Sequence, residues 1–450
     1  VKVQVGNPTQ MTVVSCIRDV ALRHPAAPAL AWLPATSLNG ADTGVQQLSY
    51  KEVWSSAEGM ADALRKLAPV EAAGGASVAV LVDEGTALPL LMLAILVARM
   101  VILPLDPDDP TDRLARALKD ARPRIIVAKD EAQRSAATRA AAVSGNLPEP
   151  KIILVEELLK ARPSVEAAAA AAMEDLAIVG KDAEEEVSHI YFTSGSSGTP
   201  KGCIVSHGAL LAYCEARNAE YAIAPGCVYL VVSPHTFDPA LGDILATWVA
   251  GALVALAPKA AMFASLGECL KLTRATHLLA TPSLFATLTF LPEQLPDLKC
   301  VALGGEAMLQ SIVDGWADAL TLVSTYGVTE CTVYQTVNVI KGRKGNPRLL
   351  GRPLGDTRVM LVGGDGSDET RLVEAGSGEE GEVWLAGNQV GLGYLNAPEL
   401  TAAKFLTSPT LGRCFRTGDV ARATKEGLVL LGRRDTQIKI NGKRADVTEV

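Results

Sequence analysis

Short, continuously apolar segments alternate with helix-like stretches along the chain, and this alternation restricts the possible folds more than any other feature. Residues 78–82 precede an apolar, helix-like stretch at 88–98, and residues 124–128 follow another helix-like stretch at 112–121. Two further candidate strands lie at 228–232 and 300–303. Strands that are apolar on both faces and separated by helices are typical of parallel sheets that helices cover on both sides.

The chain changes character after about residue 346, where glycine becomes more frequent and the candidate strands become shorter. These strands lie at 359–362, 382–386 and 428–431. Such a pattern favours an antiparallel or barrel-like unit. The chain has 450 residues. At about 150 residues per domain, there is room for about three units.

Composition and charge exclude several classes of protein. Apolar residues make up 48% of the chain and charged residues 20%, which is typical of a globular protein. The 42 basic and 50 acidic residues leave a net charge of −8 without a basic run, so we expect neither a nucleic-acid nor a membrane partner. Eight scattered cysteines form no Cys-x-x-Cys pair, which argues against structural zinc. We expect reduced thiols and a cytoplasmic protein.

One loop has the composition of a phosphate-binding site. A strand-like run at 188–193 leads into a segment rich in Gly, Ser and Thr that contains one lysine, Lys201. Glycines let a phosphate approach the backbone, N–H groups and hydroxyls donate to its oxygens, and the lysine adds positive charge. The Walker loop needs glycine where this chain has Pro200, and Gly195 and Gly198 are spaced too closely for a nucleophile elbow. A flexible Gly/Ser linker is the alternative interpretation.

The loop and six other segments, in this order along the chain, resemble the motifs of the adenylate-forming superfamily. This superfamily contains acyl-CoA synthetases, luciferases and the adenylation domains of nonribosomal peptide synthetases. The segments are Leu48-Ser49-Tyr50-Lys51-Glu52, Leu103-Pro104-Leu105-Asp106-Pro107, the loop Ser194-Gly195-Ser196-Ser197-Gly198-Thr199-Pro200-Lys201-Gly202, Thr325-Tyr326-Gly327-Val328-Thr329-Glu330, Gly391-Leu392-Gly393-Tyr394-Leu395, Phe415-Arg416-Thr417-Gly418-Asp419 and Gly432-Arg433-Arg434-Asp435-Thr436-Gln437-Ile438-Lys439. Each motif alone is weak or moderate, whereas seven in order are highly specific.

The resemblance implies an α/β fold with two parallel-sheet α/β subdomains and a smaller β-barrel-like subdomain. The expected boundaries are residues 1–434 for the adenylation core, subdivided at about 1–220, 221–345 and 346–434, and residues 435–450 for the hinge and the start of a C-terminal lid. The hinge would contain Asp435 and Lys439. Family members continue beyond this point into the small lid domain that carries a catalytic lysine. We therefore expect a fragment without its C-terminal subdomain that binds its substrates and adenylates slowly.

The resemblance also implies an ATP site. The loop around the β- and γ-phosphates would consist of Thr193, Ser194, Gly195, Ser196, Ser197, Gly198, Thr199 and Lys201. Thr329 would contact the α-phosphate, and Glu330 would hold Mg²⁺. The adenine slot would be lined by Gly304, Gly305, Glu306, Ala307, Tyr326 and Gly327. Asp419 would accept the ribose hydroxyls with help from Arg433.

The resemblance further implies attack of a carboxylate on the α-phosphate of ATP, release of pyrophosphate, and transfer of the acyl group to a phosphopantetheine thiol on a partner carrier domain. Asp238 lies between Phe237 and Pro239 in a segment that resembles the Phe-Asp motif of amino-acid-activating members, where the aspartate pairs with the substrate ammonium group. A buried carboxylate needs such a cation to offset its desolvation. The alternative role for Asp238 is that of a helix N-cap.

The remaining pocket positions are small or apolar. By comparison with the family motifs, the substrate pocket would be lined by His235, Phe237, Asp238, Pro239, Gly242, Leu279, Ala302, Gly304, Thr325, Val333 and Tyr334. The pocket has no second charge, which predicts an amino acid with a small-to-medium, uncharged side chain, or β-alanine. Alternative functions are the adenylation part of a carboxylic or amino acid reductase, a free-standing acyl-CoA ligase, and a binding module without chemistry.

Overall fold

The computed structural model describes residues 11–39, 44–68, 75–146, 148–161, 185–193, 200–363, 371–433, 437–440 and 443–446. The helices within these residues are α1 Val13–Arg23, α2 Tyr50–Leu67, α3 Ala87–Val97, α4 Thr111–Ala121, α5 Glu131–Ser144, α6 Val155–Leu159, α7 His207–Tyr221, α8 Asp238–Val249, α9 Lys259–Thr273, α10 Pro282–Phe285, α11 Gln310–Trp316 and α12 Pro398–Lys404. Short 3₁₀ helices lie at Ala35–Asn39, Pro292–Gln294 and Thr329–Cys331.

The strands form three large sheets and one hairpin. They are β1 Pro28–Trp32, β2 Gln46–Ser49, β3 Ser77–Val80, β4 Val101–Pro104, β5 Ile125–Ala128, β6 Lys151–Leu154, β7 Val187–Thr193, β8 Lys201–Ser206, β9 Val228–Val231, β10 Leu253–Leu256, β11 His277–Ala280, β12 Cys300–Gly304, β13 Thr321–Tyr326, β14 Thr336–Val339, β15 Arg352–Pro353, β16 Arg358–Gly363, β17 Arg371–Leu372, β18 Glu380–Ala386, β19 Gly393–Tyr394, β20 Phe405–Ser408, β21 Gly412–Thr424, β22 Gly427–Arg433, β23 Gln437–Ile440 and β24 Lys443–Asp446.

The first sheet has seven strands in the order β19-β8-β7-β4-β3-β5-β6. Its β6, β5, β3, β4 and β7 pair in parallel, and β8 and β19 are antiparallel additions. Strands β3, β4 and β5 are buried along their whole length, and the apolar α3 is buried almost throughout. These are the candidate strands and the apolar helix expected from the alternating pattern.

The second sheet has nine strands in the order β15-β14-β13-β12-β11-β9-β10-β1-β2. The six central strands, from β13 to β1, pair in parallel. The expected fold class, with two mainly parallel α/β sheets, is therefore confirmed. The third sheet is antiparallel and comprises β16, β17, β18, β20, β21 and β22. It occupies the segment where the sequence predicts a β-rich unit.

The N-terminal strands belong to the second sheet. The sequence predicts residues 1–220 as the first α/β subdomain, whereas β1 pairs in parallel with β10 of the second sheet, with Leu30 opposite Val254. Strand β2 pairs with β1 and joins the same sheet. The indole of Trp248 donates to the carbonyl of Ala29 at 2.8 Å, and the hydroxyl of Tyr50 donates to the carbonyl of Ala252 at 2.7 Å. These bonds tie the segment to α8 and to the residue before β10.

No helix within the described parts of the chain is both long and apolar enough to cross a membrane.

Candidate active site

A cavity of about 650 Å³ lies where the carboxyl ends of strands from both α/β sheets meet. Pro104 ends β4 and Thr193 ends β7 in the first sheet, whereas Gly304 ends β12 in the second. All three residues line the cavity. The carboxyl ends of parallel strands are the usual position of ligand sites in α/β proteins, so the topology alone marks this cavity as the candidate active site.

The structure brings together many of the residues predicted from the sequence. Those that line the cavity are Thr193, Phe237, Asp238, Pro239, Leu279, Gly304, Gly305, Thr325, Gly327, Thr329, Val333 and Tyr334. Other predicted residues do not line it, namely Lys201, His235, Gly242, Ala302, Glu306, Ala307, Tyr326, Glu330, Asp419 and Arg433. Ser194, Gly195, Ser196, Ser197, Gly198, Thr199 and Asp435 lie outside the described residues, and so does the side chain of Lys439 in β23.

Asp238 is the first residue of α8 and is almost completely buried. Its Oδ2 accepts the backbone N–H of Val333 at 3.2 Å. The N-cap of the helix is Phe237, and no side chain caps it, so the alternative prediction that Asp238 is the N-cap is wrong. Pro239 follows in the first turn, where its missing N–H removes no helical hydrogen bond. The fold thus fixes a buried carboxylate in the cavity wall.

The segment that supplies this N–H has an unusual backbone. Thr332 and Val333 both have φ of 67°, a left-handed conformation that costs β-branched residues about 1–3 kcal/mol each. A Cβ at Gly327 would lie 2.1 Å from Cα of Tyr334, so only glycine permits the approach of this segment. The strained turn directs the Val333 N–H to Asp238 and brings Val333 and Tyr334 into the cavity wall.

Two buried glutamines that the sequence does not predict as functional residues hold the strained turn in place. Gln335 accepts the Val328 N–H at 2.9 Å and donates to the carbonyl of Cys331 at 2.6 Å. Gln389, which follows β18, donates from its side chain to the carbonyl of Tyr334 at 3.1 Å, and its backbone carbonyl accepts the hydroxyl of Thr332 at 2.8 Å. No local motif marks these glutamines, because their partners become neighbours only when the sheets pack.

Glu330 lies next to the cavity-lining Thr329 on the 3₁₀ helix and is buried. Its Oε1 accepts the hydroxyl of Tyr394 at 2.9 Å, and the Nζ of Lys201 lies 5.9 Å from the centre of the Tyr394 ring. No group of three or more acidic, His or Cys side chains in the described residues is arranged to hold a metal ion. A single carboxylate nonetheless fits Mg²⁺, which is usually held by one or two carboxylates together with substrate phosphates.

Asp419 connects the antiparallel sheet to the second α/β sheet. Its Oδ2 accepts the hydroxyl of Tyr326 at 2.5 Å, and its Oδ1 accepts Nη1 of Arg433 at 3.1 Å. The carboxylate is buried. Tyr326 ends β13 directly before Gly327 of the cavity wall, so this pair of bonds sets Asp419 beside the cavity.

Glu306 follows the glycines at the end of β12. One carboxylate oxygen accepts the backbone N–H of Ser283 at 3.2 Å and also its hydroxyl. The other oxygen is buried and has no hydrogen-bond partner among the described residues. It is therefore an acceptor that a bound ligand could satisfy.

His235 and Ala302 have structural positions. The Nε2 of His235 lies 3.0 Å from the carbonyl oxygen of Leu105, and its own carbonyl accepts the hydroxyl of Tyr191 at 3.1 Å. Burial lowers the pKa of His235, which keeps the ring neutral in this apolar setting. Ala302 is buried within β12 and packs in the core. Neither side chain reaches the cavity.

A charged rim on the cavity was not predicted. The residues between β4 and the middle of α4 contribute charged groups to its lining, namely Asp106, Asp109, Asp112, Arg113 and Arg116. Nε of Arg113 lies 3.4 Å from Oδ2 of Asp109. The position of this segment directly after a parallel strand is the signal that could have revealed it.

The model of the AMP-binding enzyme family matches residues 17–395. The chain belongs to this family. The predicted membership of the adenylate-forming superfamily is therefore confirmed, and the family places the chain among adenylate-forming enzymes.

Relatives with similar sequences come from nonribosomal peptide synthesis and antibiotic biosynthesis. The chain is 32% identical to phosphinothricin tripeptide synthetase PhsC of Streptomyces viridochromogenes, over 98% of this chain and 37% of that protein. It is 31% identical to novobiocin biosynthesis protein H of Streptomyces niveus, over 93% of this chain and 66% of that protein. The alignment with nonribosomal peptide synthetase GRA1 of Gibberella zeae, at 36% identity, covers 59% of this chain and only 3% of the relative.

Solved structures share the fold. The adenylation domain AlmE of Vibrio cholerae, in complex with glycyl-adenosine-5'-phosphate, matches all of this chain and 84% of its own with a TM-score of 0.80 at 24% identity. PA1221, which contains adenylation and PCP domains, matches 98% of this chain and 71% of its own with a TM-score of 0.79 at 24% identity.

Proposed function

We propose that this chain activates an amino acid as its aminoacyl-adenylate and passes the aminoacyl group to a phosphopantetheine thiol on a carrier domain. The observation that carries the proposal is the buried Asp238 carboxylate in the cavity wall. Phe237, Pro239 and Leu279 are apolar residues of the same cavity wall, and a buried carboxylate in such surroundings favours a ligand that brings a positive charge. The ammonium group of an amino acid satisfies this requirement, and its carboxylate remains free to react.

The proposed reaction places ATP along the rest of the cavity. A carboxylate oxygen of the amino acid attacks the α-phosphorus, and the bond from this phosphorus to the bridging oxygen breaks. Pyrophosphate leaves with the bonding electrons. Thr329 lies in the cavity wall, where its hydroxyl can donate to an α-phosphate oxygen. When bound, Mg²⁺ would be held by Glu330 and would neutralise charge that builds up on the phosphates.

Other residues would position the nucleotide. Asp419 retains lone pairs on both oxygens beside its bonds to Tyr326 and Arg433, and these suit the ribose hydroxyls. The buried, unbonded oxygen of Glu306 suits an amino group on the adenine ring. Lys201 begins β8 directly after Pro200 of the cavity wall, which suits contact with the outer phosphates. In this proposal the protein contributes orientation and electrostatic stabilisation and forms no covalent intermediate.

The domain composition of similar proteins supports a carrier domain as the partner. PA1221 contains a PCP domain beside its adenylation domain, and the chain spans only a small part of the large synthetases that it matches. The adenylation part of a reductase would use the same first step. A free-standing acyl-CoA ligase would activate acids without an amino group.

The experiment that tests the proposal measures binding of stable adenylate analogues by calorimetry. The probes are 5′-O-sulfamoyladenosines that carry an aminoacyl group, or the matching acyl group without the α-amine. We expect the aminoacyl form to bind tightly, and Asp238→Ala to weaken it by about 10- to 100-fold while it leaves the amine-free form unaffected. Asp314→Ala, at an exposed aspartate on α11, is the matched control. Tighter binding of the amine-free form to the unmodified protein would instead favour an acyl-CoA ligase.

A further inference from the structure

The helix that carries Asp238 also carries a glycine, Gly242, that the sequence predicts to line the substrate pocket. Gly242 lies one helical turn after Asp238 in α8, so the two residues share one face of the helix. Asp238 and Pro239 line the cavity, whereas Gly242 does not.

The space above Gly242 is already occupied. A Cβ placed at Gly242 would lie 2.8 Å from Cε1 of Tyr213 and 2.9 Å from Cγ2 of Val333. Tyr213 comes from α7 and is fully buried. Its ring meets the ring of Tyr334 edge-on, with 5.2 Å between the ring centres. Val333 and Tyr334 line the cavity, so Tyr213 supports the wall from behind.

Tyr213 stands at the edge of a buried polar cluster, which we define as Tyr213, Arg217, Tyr229, Asp243 and Tyr334. Arg217 has no exposed surface, places Nη2 3.4 Å from Oδ1 of Asp243, and lies 3.9 Å above the ring of Tyr229. Burial raises the pKa of Tyr213 well above its usual value, so its hydroxyl stays neutral in the cluster. Because the cluster is closely packed on three elements, the Tyr213 ring has a firm support behind it.

We propose that Tyr213 is a specificity-determining residue that sets the depth of the substrate pocket from behind and restricts the substrate to an amino acid with a small side chain. The Tyr213 ring occupies the space that a side chain at position 242 would need. It acts through Val333 and Tyr334 and is therefore a positioning residue. The inference rests on the proposed amino-acid activation, because it concerns the side chain of that substrate.

The first test measures the calorimetric affinity of a series of aminoacyl sulfamoyladenosines with glycyl, alanyl, valyl, leucyl and phenylalanyl groups. The unmodified protein should bind the smaller members more tightly. Tyr213→Leu replaces the ring above Gly242 by a smaller side chain. It should raise the ratio of the affinity for the leucyl analogue to that for the alanyl analogue at least tenfold, in line with a discrimination of about 10- to 200-fold per methylene group in apolar pockets. Tyr213→Phe keeps the ring and should therefore show the affinity ratio of the unmodified protein. Tyr50→Leu, which truncates an equally buried tyrosine away from the cavity, is the matched control.

The reciprocal test uses Gly242→Ala. On its own, the added methyl group collides with Tyr213 and Val333, pushes the wall toward the cavity and should weaken the alanyl analogue at least tenfold. Combined with Tyr213→Leu, the methyl group no longer meets the ring and only the contact with Val333 remains, so the double variant should bind the alanyl analogue more tightly than Gly242→Ala alone. A merely destabilising role for either residue predicts additive losses instead of this rescue.

The outcomes separate two failures. If the unmodified protein binds no aminoacyl analogue in the series, the proposed function itself is wrong. If it binds them and Tyr213→Leu leaves their affinity ratios unchanged, or Gly242→Ala is not rescued by Tyr213→Leu, amino-acid activation stands and the role of Tyr213 is refuted.

Discussion

The hydroxyl of Tyr394 donates a hydrogen bond of 2.9 Å to Oε1 of Glu330. The two residues belong to motifs that are far apart in the chain, and both are buried. The bond holds the carboxylate in one orientation beside Thr329 of the cavity wall. The ring of the same tyrosine lies near the ammonium group of Lys201. Tyr394 thus links the two charged groups assigned here to the phosphates and to Mg²⁺.

Tyr394→Phe should therefore raise the Mg²⁺ concentration required for ATP binding. The variant keeps the ring against Lys201 and removes only the bond to Glu330, so we expect the half-saturating Mg²⁺ concentration to rise about 3- to 10-fold. Calorimetric titration of ATP at a series of Mg²⁺ concentrations measures this value. The affinity for the aminoacyl sulfamoyladenosine, which needs no metal, should stay the same. An unchanged Mg²⁺ requirement would contradict the role of Glu330 as the Mg²⁺ ligand.

Asp419→Ala should weaken binding of the nucleotide through loss of the ribose contacts. Charge-assisted hydrogen bonds contribute about 1.5–3 kcal/mol each, so the dissociation constant for the adenylate analogue should rise by about 10- to 100-fold. The measurement is calorimetry with ATP and with the analogue. Arg422 lies on the same strand as Asp419. Arg422→Ala, which breaks its exposed ion pair with Glu380 of β18, serves as the control. Equal losses from both substitutions would count against a ribose contact.

Gln335→Ala should destabilise the turn that contains Thr332 and Val333. The substitution leaves the buried Val328 N–H and the Cys331 carbonyl without their partner, at a cost of about 1–3 kcal/mol for each group. We expect a loss of several kcal/mol in the free energy of unfolding, measured by urea denaturation. Gln310→Ala, at an exposed glutamine of α11, should change that free energy by less than about 0.5 kcal/mol. An equally small loss of unfolding free energy for Gln335→Ala would show that the turn keeps its conformation without the hydrogen bonds of Gln335.

His277 should make the fold less stable in mild acid. Its Nδ1 lies 2.7 Å from the hydroxyl of Thr276, and burial, with help from Arg217, lowers its pKa to about 4. Below pH 6.5 the unfolded chain takes up a proton on this ring and the folded chain does not. Stability is therefore complete above pH 6.5 and declines toward pH 4, by up to about 1.4 kcal/mol per pH unit.

Denaturation curves between pH 7.5 and 4.5 measure this slope. His277→Gln should reduce this slope, whereas His24→Gln, at an exposed position, should leave it as it is. Burial also lowers the pKa values of His189, His207 and His235, and these groups account for the slope that remains. An unchanged slope after the replacement of His277 would contradict its part in the acid sensitivity.

Local patterns in the sequence predict the elements that surround the cavity. The apolar runs at 78–82, 124–128, 228–232 and 300–303 correspond to β3, β5, β9 and β12, because a strand buried on both faces needs apolar side chains at every position. Motif order predicts the family in the same way, since each motif is a short pattern of residues that are adjacent in the chain. These properties depend on neighbours along the chain.

The tertiary structure decides the partners that come from distant segments. The sequence predicts residues 1–220 as the first α/β subdomain, whereas the parallel pairing of β1 with β10 puts this strand in the second sheet. It predicts that Gly242 lines the substrate pocket, whereas Gly242 does not line the cavity and Tyr213 fills the space above it. It contains no sign that Gln335 and Gln389 would support Asp238 through the turn at Val333.

The sequence by itself therefore determined the alternating α/β elements, the family and Asp238 as a residue of the cavity wall. Only the tertiary structure decided the sheet to which β1 belongs, the residue that fills the space above Gly242, and the bond between Tyr394 and Glu330. The physical reason is that periodicity and motif spacing record the environment of each segment, whereas a side-chain contact depends on how two packed surfaces fill the volume between them.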